Sequence, residues 1–198
     1  MIIFLFLRFG VLIRTGIGTG ARFGELLGLS WEDVDLENKV IHIRNGLKKD
    51  KEFSEDGKTI VRNFLTLGSL KTPKSRRDIP INDATANLLA RYKLAQRSFI
   101  NDPDIIPNMV FLNSAGHYWD ESKVRVLYKN YLASIGVPYI KFHGLRHTFA
   151  TRILESNVAP KVAQELLGHT NVSVTMDIYS HVLPEVKREA MDKIKGIV

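Results

Sequence analysis

The sequence predicts an α+β fold, a mostly helical domain with a small antiparallel β-sheet. Most short β-type segments lie before Asn82, whereas apolar residues beyond it follow a helical spacing. The 198 residues, 44% hydrophobic and 25% charged, have the size and composition of one compact domain without an internal repeat. We therefore predict a single domain over residues 1–198.

A buried helix is predicted from Met1 to Arg14. The run is apolar, but it is shorter than the roughly 20 residues that span a bilayer, and it lacks the flanks of a signal peptide. No capping signal precedes it, which favours a chain cut from a longer protein. A short helix closed by Gly28 and a strand over Lys39–Ile43 are predicted next.

A β-ribbon is predicted after a solvated loop. Residues 48–58 carry mixed charge and almost no apolar side chains, which is typical of a loop. Residues 60–67 and 76–81 are of β type, and the basic segment around Lys71 separates them. The two segments are therefore expected to pair, with Lys71 at the tip of the ribbon.

The remainder of the chain is predicted to be helical except for one short strand. Apolar spacing predicts helices over about 83–99 and 121–134, and residues 110–112 are predicted to form the strand. Proline and glycine mark the expected ends of later helices. These breaks fall at Gly136-Val137-Pro138, Ala159-Pro160, Gly168 and Leu183-Pro184.

Charge and cysteine content restrict the function classes. A formal charge of +7 and a pI near 9.6 favour a polyanionic partner, nucleic acid ahead of a membrane surface. A merely basic soluble protein is the alternative. The absence of cysteine excludes disulfides and thiolate metal sites, and it fits a reducing cytoplasm.

Two basic segments in the first half carry candidate site residues. Arg22 lies between glycines and could point into a cleft, or it could simply pair with Glu25 on the surface. Lys71 heads a basic turn that could follow a phosphate backbone, although such turns are usually only solvated. The neighbouring cations that would contact DNA are Lys74, Arg76 and Arg77.

Two segments in the second half carry further candidates. The spacing of His143 and Arg146 places them on one helical face, where both can reach one anion. His143 and His147 could instead bind a metal, but no carboxylate or third ligand accompanies them. Tyr179 follows His169 by ten residues and could be a nucleophile, or a tyrosine packed at the rim of a core.

Together these residue types suit phosphodiester transfer without a metal or cofactor. Two guanidiniums can neutralise charge that builds on a pentavalent phosphorus. A tyrosine has a pKa near 10, so it needs nearby cations and a proton acceptor to become a nucleophile. A lysine can supply the proton that the departing sugar oxygen requires.

The motifs and their order resemble those of the tyrosine recombinases, the phage integrase family. The segment from Thr19 to Asp35 looks like the first arginine box of that family, and His143-Gly144-Leu145-Arg146-His147 resembles its His-x-x-Arg box. The segment from Lys71 to Pro80 is similar to its lysine hairpin. Leu166-Leu167-Gly168-His169 and Tyr179 resemble its closing box. The resemblance implies the integrase-like catalytic fold.

The resemblance also implies how the phosphate would be held and attacked. Arg22 and Arg146 would clamp the scissile phosphate, and His169 would hydrogen-bond one of its oxygens. Tyr179 would attack phosphorus and form a 3′-phosphotyrosyl intermediate.

Proton transfer and positioning are assigned in the same way. His143 would assist proton transfer at the tyrosine. Lys71 would be the general acid for the 5′-hydroxyl, with Lys74 as a nearby alternative. Glu25 would orient its neighbours rather than react.

The implied activity is site-specific DNA recombination for a phage or another mobile element, in the bacterial cytoplasm at the nucleoid. Expected partners are double-stranded attachment sites and accessory excision or DNA-bending factors, with no membrane. The domain is expected to be monomeric alone and tetrameric on DNA. The family's N-terminal core-binding and arm-binding domains are expected to be absent from this chain. A helical tail is predicted over residues 183–197, and it could cover its own core or a neighbouring protomer.

Two other functions remain open. A type IB topoisomerase shares the tyrosine chemistry but relaxes DNA, and the spacing from Gly168-His169 to Tyr179 favours the recombinase. A catalytically silent DNA-binding module could keep the same fold. The presence of all six candidate catalytic residues argues against silence.

Overall fold

The computed structural model describes residues 2–70, 75–99, 108–113 and 115–193. About half of the chain is helical and the strands are antiparallel, which confirms the predicted α+β class. None of the described helices is long and apolar enough to cross a membrane.

The first helix, α1, spans Ile2–Thr19 and is longer than predicted. Thr15 and Thr19 are fully buried, and the Thr19 hydroxyl donates to the Thr15 carbonyl at 2.7 Å. Burial of this last turn outweighs the low helix propensity of its glycines. The helix ends before Gly20, whose φ of 61° lies in the left-handed region. The chain then turns into α2, Phe23–Leu27, which Gly28 ends as predicted.

Two antiparallel sheets follow α2 and a 3₁₀ turn at Trp31–Asp33. The first has the strand order β1-β2-β5, in which Ile41 of β2 is opposite Ile79 of β5. The second is a two-stranded ribbon of β3 and β4. The strands are β1 (Val34–Asp35), β2 (Val40–Ile43), β3 (Asn45–Phe53), β4 (Ile60–Ser69) and β5 (Arg77–Pro80).

The predicted ribbon pairing is wrong. β4 pairs with β3 rather than with β5, and the expected loop over 48–58 is a strand as far as Phe53. The outer part of this ribbon exposes both of its faces, so its sequence lacks the apolar alternation that identifies a half-buried strand. Residues 71–74, which include Lys71, follow β4 in the chain and lie outside the described residues.

The helical second half agrees with the predicted helices over 83–99 and 121–134 but differs from the prediction at two points. Residues 110–112 form no strand, although a single bridge joins Met109 to Ser30. The predicted break at Leu183-Pro184 is wrong because α7 continues through Pro184. A proline removes one helical hydrogen bond, and α7 also packs against α5 and α6. The helices are α3 (Asp83–Phe99), α4 (Glu121–Ser134), α5 (Phe142–Glu155), α6 (Pro160–Leu167) and α7 (Val172–Lys193).

The core consists of one large cluster and one small cluster. In the large cluster α1 packs against α2, α3, α4 and α5, and Phe9, Leu12 and Tyr92 are among its fully buried residues. The small cluster is centred on Leu154 of α5 and Ala163 of α6. Helix α5 links the two clusters, with Leu145 in the large one and Leu154 in the small one, and it carries His143 and Arg146.

Candidate active site

Arg22 and Glu25 are brought together by the start of α2. Glu25 is the third residue of the helix, and its carboxylate reaches back to accept from the backbone N–H of Arg22 at 2.7 Å. The same carboxylate accepts from Nη1 of Arg22 at 2.8 Å. Only 4% of the Glu25 side chain is exposed, whereas 39% of Arg22 is exposed. Arg22 is therefore held at its backbone N–H and at its guanidinium, while part of its side chain stays open to solvent.

Arg146 enters the same region from α5. Its side chain is buried, and Nη1 donates to the carbonyl of Gly20 at 2.7 Å. Nη2 donates to the carbonyl of Leu167. Arg146 therefore connects the end of α1 with the end of α6.

Three successive carbonyls at the end of α6 each accept from a different arginine. Nε of Arg77 donates to Leu166 at 2.7 Å, and Nη2 of Arg22 donates to Gly168 at 2.8 Å. Arg146 takes the carbonyl between them, that of Leu167. The last carbonyls of a helix lack helical partners and carry the negative end of its dipole. The end of α6 therefore gathers three cations that would otherwise repel one another.

The position of Arg77 corrects the prediction that it lies on the DNA-contacting surface. Its side chain is 6% exposed, and its Nη1 and Nη2 donate to the two oxygens of Glu25 at 3.1 and 2.8 Å. Strand alternation explains the burial, since Arg77 shares the inward face of β5 with Ile79. That alternation is the sequence signal that could have identified its role. Arg76 points outward and is exposed, as a DNA contact requires.

The arginines set the charge state of Glu25. Burial alone would raise the pKa of this carboxyl, but hydrogen bonds and charge from Arg77, with hydrogen bonds from Arg22, lower the pKa to about 2. Burial, together with repulsion from Arg22 and Arg77, lowers the pKa of Arg146 to about 9. At neutral pH the cluster thus holds three guanidiniums and one carboxylate, and an anion would relieve the excess positive charge.

His169 and His143 border this cluster. Burial and the neighbouring arginines, Arg146 foremost, lower the pKa of His169 to about 4. Its Nδ1 lies 2.8 Å from the hydroxyl of the fully buried Thr175, a contact that sequence reasoning missed. If that hydroxyl donates, the neutral ring carries its proton on Nε2, where it can donate to an anion. Burial and then Arg146 lower the pKa of His143, which leaves this exposed imidazole able to accept a proton.

Tyr179 lies on α7, one turn beyond Thr175. Its ring packs against Leu154 and Ala163 in the small core cluster. Its hydroxyl makes no hydrogen bond to any of the residues that the structure describes. The structure therefore brings Arg22, Arg146 and His169 together, with Tyr179 on the helix that follows them.

The remaining candidates are placed less fully. Lys71 and Lys74 lie outside the described residues. An open cavity of about 430 Å³ lies beside Arg22, between the base of the ribbon and Thr170. Across the described ranges, no group of three histidine, aspartate or glutamate side chains could hold a metal ion.

A family model described as the phage integrase family matches residues 8–185, and its span includes every candidate site residue. The chain belongs to this family. A tyrosine recombinase XerC-like protein of Caldanaerobacter subterraneus subsp. tengcongensis is 36% identical, and the match covers 96% of this chain and 50% of the relative. The integrase of Staphylococcus phage L54a is 28% identical, with coverage of 91% and 49%.

A solved structure shows the same fold. The integrase of transposon Tn1549, residues 82–397, in complex with circular intermediate DNA, has a TM-score of 0.72 and 25% identity, covering 94% of this chain and 59% of that one. This phage integrase family chain spans about half the length of the curated relatives it matches.

Proposed function

We propose that this chain is the catalytic domain of a site-specific DNA recombinase of a mobile element, and that it breaks and rejoins DNA through Tyr179. The observation that carries the proposal is the convergence of Arg22, Arg146 and His169 at the end of α6. This arrangement presents guanidinium and imidazole donors to one anion. Electrostatic stabilisation of this kind usually lowers the barrier of an enzymatic reaction more than any other single effect.

The proposed reaction begins with the phosphate of one DNA strand bound between Arg22 and Arg146. The hydroxyl oxygen of Tyr179 attacks phosphorus and gives its proton to His143. The bond from phosphorus to the 5′ oxygen breaks, and Lys71 protonates that oxygen. The products are a 3′-phosphotyrosyl bond and a free 5′-hydroxyl, and attack by a second 5′-hydroxyl reverses the step on a new strand.

We propose that Tyr179 leaves its packing in the small core cluster for this attack, because its hydroxyl makes no hydrogen bond to Arg22, Arg146 or His169. Its ring now contacts Leu154 and Ala163, and α7 begins only three residues after His169. We propose that DNA binding shifts the start of α7 and brings the hydroxyl to the phosphate, with four protomers acting on two duplexes. Accessory excision or DNA-bending factors would act at the level of this assembly.

Two alternatives are less well supported. The relatives reported above are a tyrosine recombinase and integrases, which does not favour a topoisomerase. A silent DNA-binding module would form no covalent bond with DNA.

A suicide substrate, in which a nick lets the cleaved strand diffuse away, tests the proposal. Wild-type protein should form a covalent adduct with labelled DNA in the presence of EDTA, and Tyr179→Phe should form none. Tyr139→Phe is the matched control, because Tyr139 is 47% exposed and lies in the connection between α4 and α5. An adduct formed by Tyr179→Phe would refute the assignment, and a strict metal requirement would refute the proposed chemistry.

A further inference from the structure

Arg77 uses all three nitrogens of its guanidinium inside the protein. Nη1 and Nη2 bind both oxygens of Glu25, Nε binds the carbonyl of Leu166, and Nη1 also binds the carbonyl of Ser75 at 3.1 Å. With 6% of its side chain exposed, Arg77 has no free face for DNA. Any effect on the reaction must therefore pass through the groups it holds.

Glu25 is shared unequally between two arginines. Arg77 takes both carboxylate oxygens in a fork, the strong geometry for this pair of groups. Arg22 contributes Nη1 and its backbone N–H, and it spends a second guanidinium donor on the carbonyl of Gly168. A guanidinium has five N–H donors, so about three remain on Arg22 for a ligand.

Loss of Arg77 would change this division. Glu25 would become a buried carboxylate with Arg22 as its nearest cation. The strongest pairing then open to Arg22 would be a bidentate one, with two of its guanidinium nitrogens on the two oxygens of Glu25. That pairing would turn the Arg22 donors inward and away from a phosphate. The carbonyl of Leu166 would also lose its partner, which would free the nearby carbonyl of Gly168 that helps to orient Arg22.

We propose that Arg77 is a positioning residue, which occupies Glu25 and the end of α6 so that Arg22 keeps its free donors directed at the DNA phosphate. The inference rests on the proposed function, because it concerns the orientation of Arg22 during cleavage. Arg77 itself touches neither DNA nor the reacting atoms.

A double-mutant cycle distinguishes this role from a purely structural one. The single-turnover rate of suicide-substrate cleavage is measured at saturating protein for Arg77→Met and Arg77→Lys, each in the wild-type and the Arg22→Lys backgrounds. DNA affinity and melting temperature are measured for every variant. Arg152→Met is the control, since Arg152 forms an exposed ion pair with Glu155 on α5, far along the helix from Arg146.

The positioning role predicts a strongly non-additive cycle. In the wild-type background Arg77→Met should slow cleavage by about 10–100-fold, since small misplacements of a catalytic group have effects of this size, with affinity changed by less than about threefold. The cleavage rate of Arg77→Lys should lie between those of wild type and Arg77→Met, because lysine keeps the charge but cannot bind both carboxylate oxygens at once. In the Arg22→Lys background either substitution of Arg77 should slow cleavage by less than about threefold. Arg152→Met should match wild type.

Two results would overturn the inference. One is an unchanged cleavage rate in the Arg77 variants, and the other is an equal loss in both backgrounds, which indicates a general effect on the fold. If Arg77→Met does not fold, the Arg77→Lys pair gives the same comparison. Failure of the wild-type protein to form any adduct would refute the proposed function itself, and this inference with it.

Discussion

At the scale of single residues, the site depends on three arginines held close together around one carboxylate. Arg22, Arg77 and Arg146 tolerate this proximity because Glu25 and the carbonyls at the end of α6 accept from them. Burial and the excess positive charge together suppress protonation of His169. A bound phosphate would reduce the repulsion among the three arginines and would favour protonation of His169.

The protonation of His169 gives a direct test of this charge balance. In the DNA-free protein its NMR titration midpoint should lie near pH 4, compared with the ordinary value of 6.5 recovered in urea. Because the folded-state pKa is the lower of the two, this group's contribution to stability is lost as the pH falls from about 6.5 to about 4. DNA should raise the midpoint, since the phosphate favours the imidazolium. His169→Gln assigns the signal, and a midpoint at or above 6.5 without DNA would contradict the account.

The motifs predict which side chains lie close together in the fold. Arg22, Arg146 and His169 were predicted to share a site, and the structure places them at one helix end. Arg77 was assigned to the DNA surface because its neighbours are basic. Arg77 is buried because it lies on the inward face of β5 and because it pairs with Glu25, more than fifty residues away in the chain. The charges of its sequence neighbours indicate neither of these.

At the scale of elements, the end of α6 organises the site and depends on Gly168. This residue has a φ of 64°, and a Cβ at this position would lie 3.0–3.3 Å from the guanidinium and Cδ of Arg77. Both the backbone conformation and the close approach of Arg77 require glycine here.

Gly168→Ala should therefore lower stability more than Gly136→Ala. Gly136 has a φ of 69° after α4 with open space around it, so its alanine variant reports the backbone cost alone, about 1–2 kcal/mol. Gly168→Ala should cost a further ~1 kcal/mol or more in urea unfolding and should also slow DNA cleavage. Equal losses of stability in the two variants would show that the contact with Arg77 is unimportant.

Elements with a buried apolar face were predicted closely, and the ribbon was not. The sequence prediction for α3 and α4 agrees with the structure because one face of each helix is apolar. The ribbon of β3 and β4 is held by its backbone ladder while most of its outer side chains are exposed. Charged residues such as Lys49 and Glu52 fit an exposed strand and a loop equally well, so their pattern could not distinguish the two.

At the scale of the whole molecule, the net charge of +7 should govern encounter with DNA. Affinity for non-specific duplex should fall with salt at a log–log slope of about −4 or steeper, which corresponds to four or more phosphate contacts. Arg76→Ala should make the slope shallower by about 1, because this exposed arginine is expected to contact a phosphate. A slope near zero, measured by fluorescence anisotropy, would rule out phosphate contacts as the source of affinity.

The central claim is that Tyr179 becomes covalently joined to DNA, and peptide mapping of the adduct tests it most directly. Trypsin releases residues 162–187 as one peptide, in which Tyr179 is the sole tyrosine. After nuclease digestion of the suicide-substrate complex, mass spectrometry should find the nucleotide remnant on this peptide, with the fragment ions placing it at Tyr179. A remnant on any other peptide, or no remnant in a cleaved sample, would contradict the account.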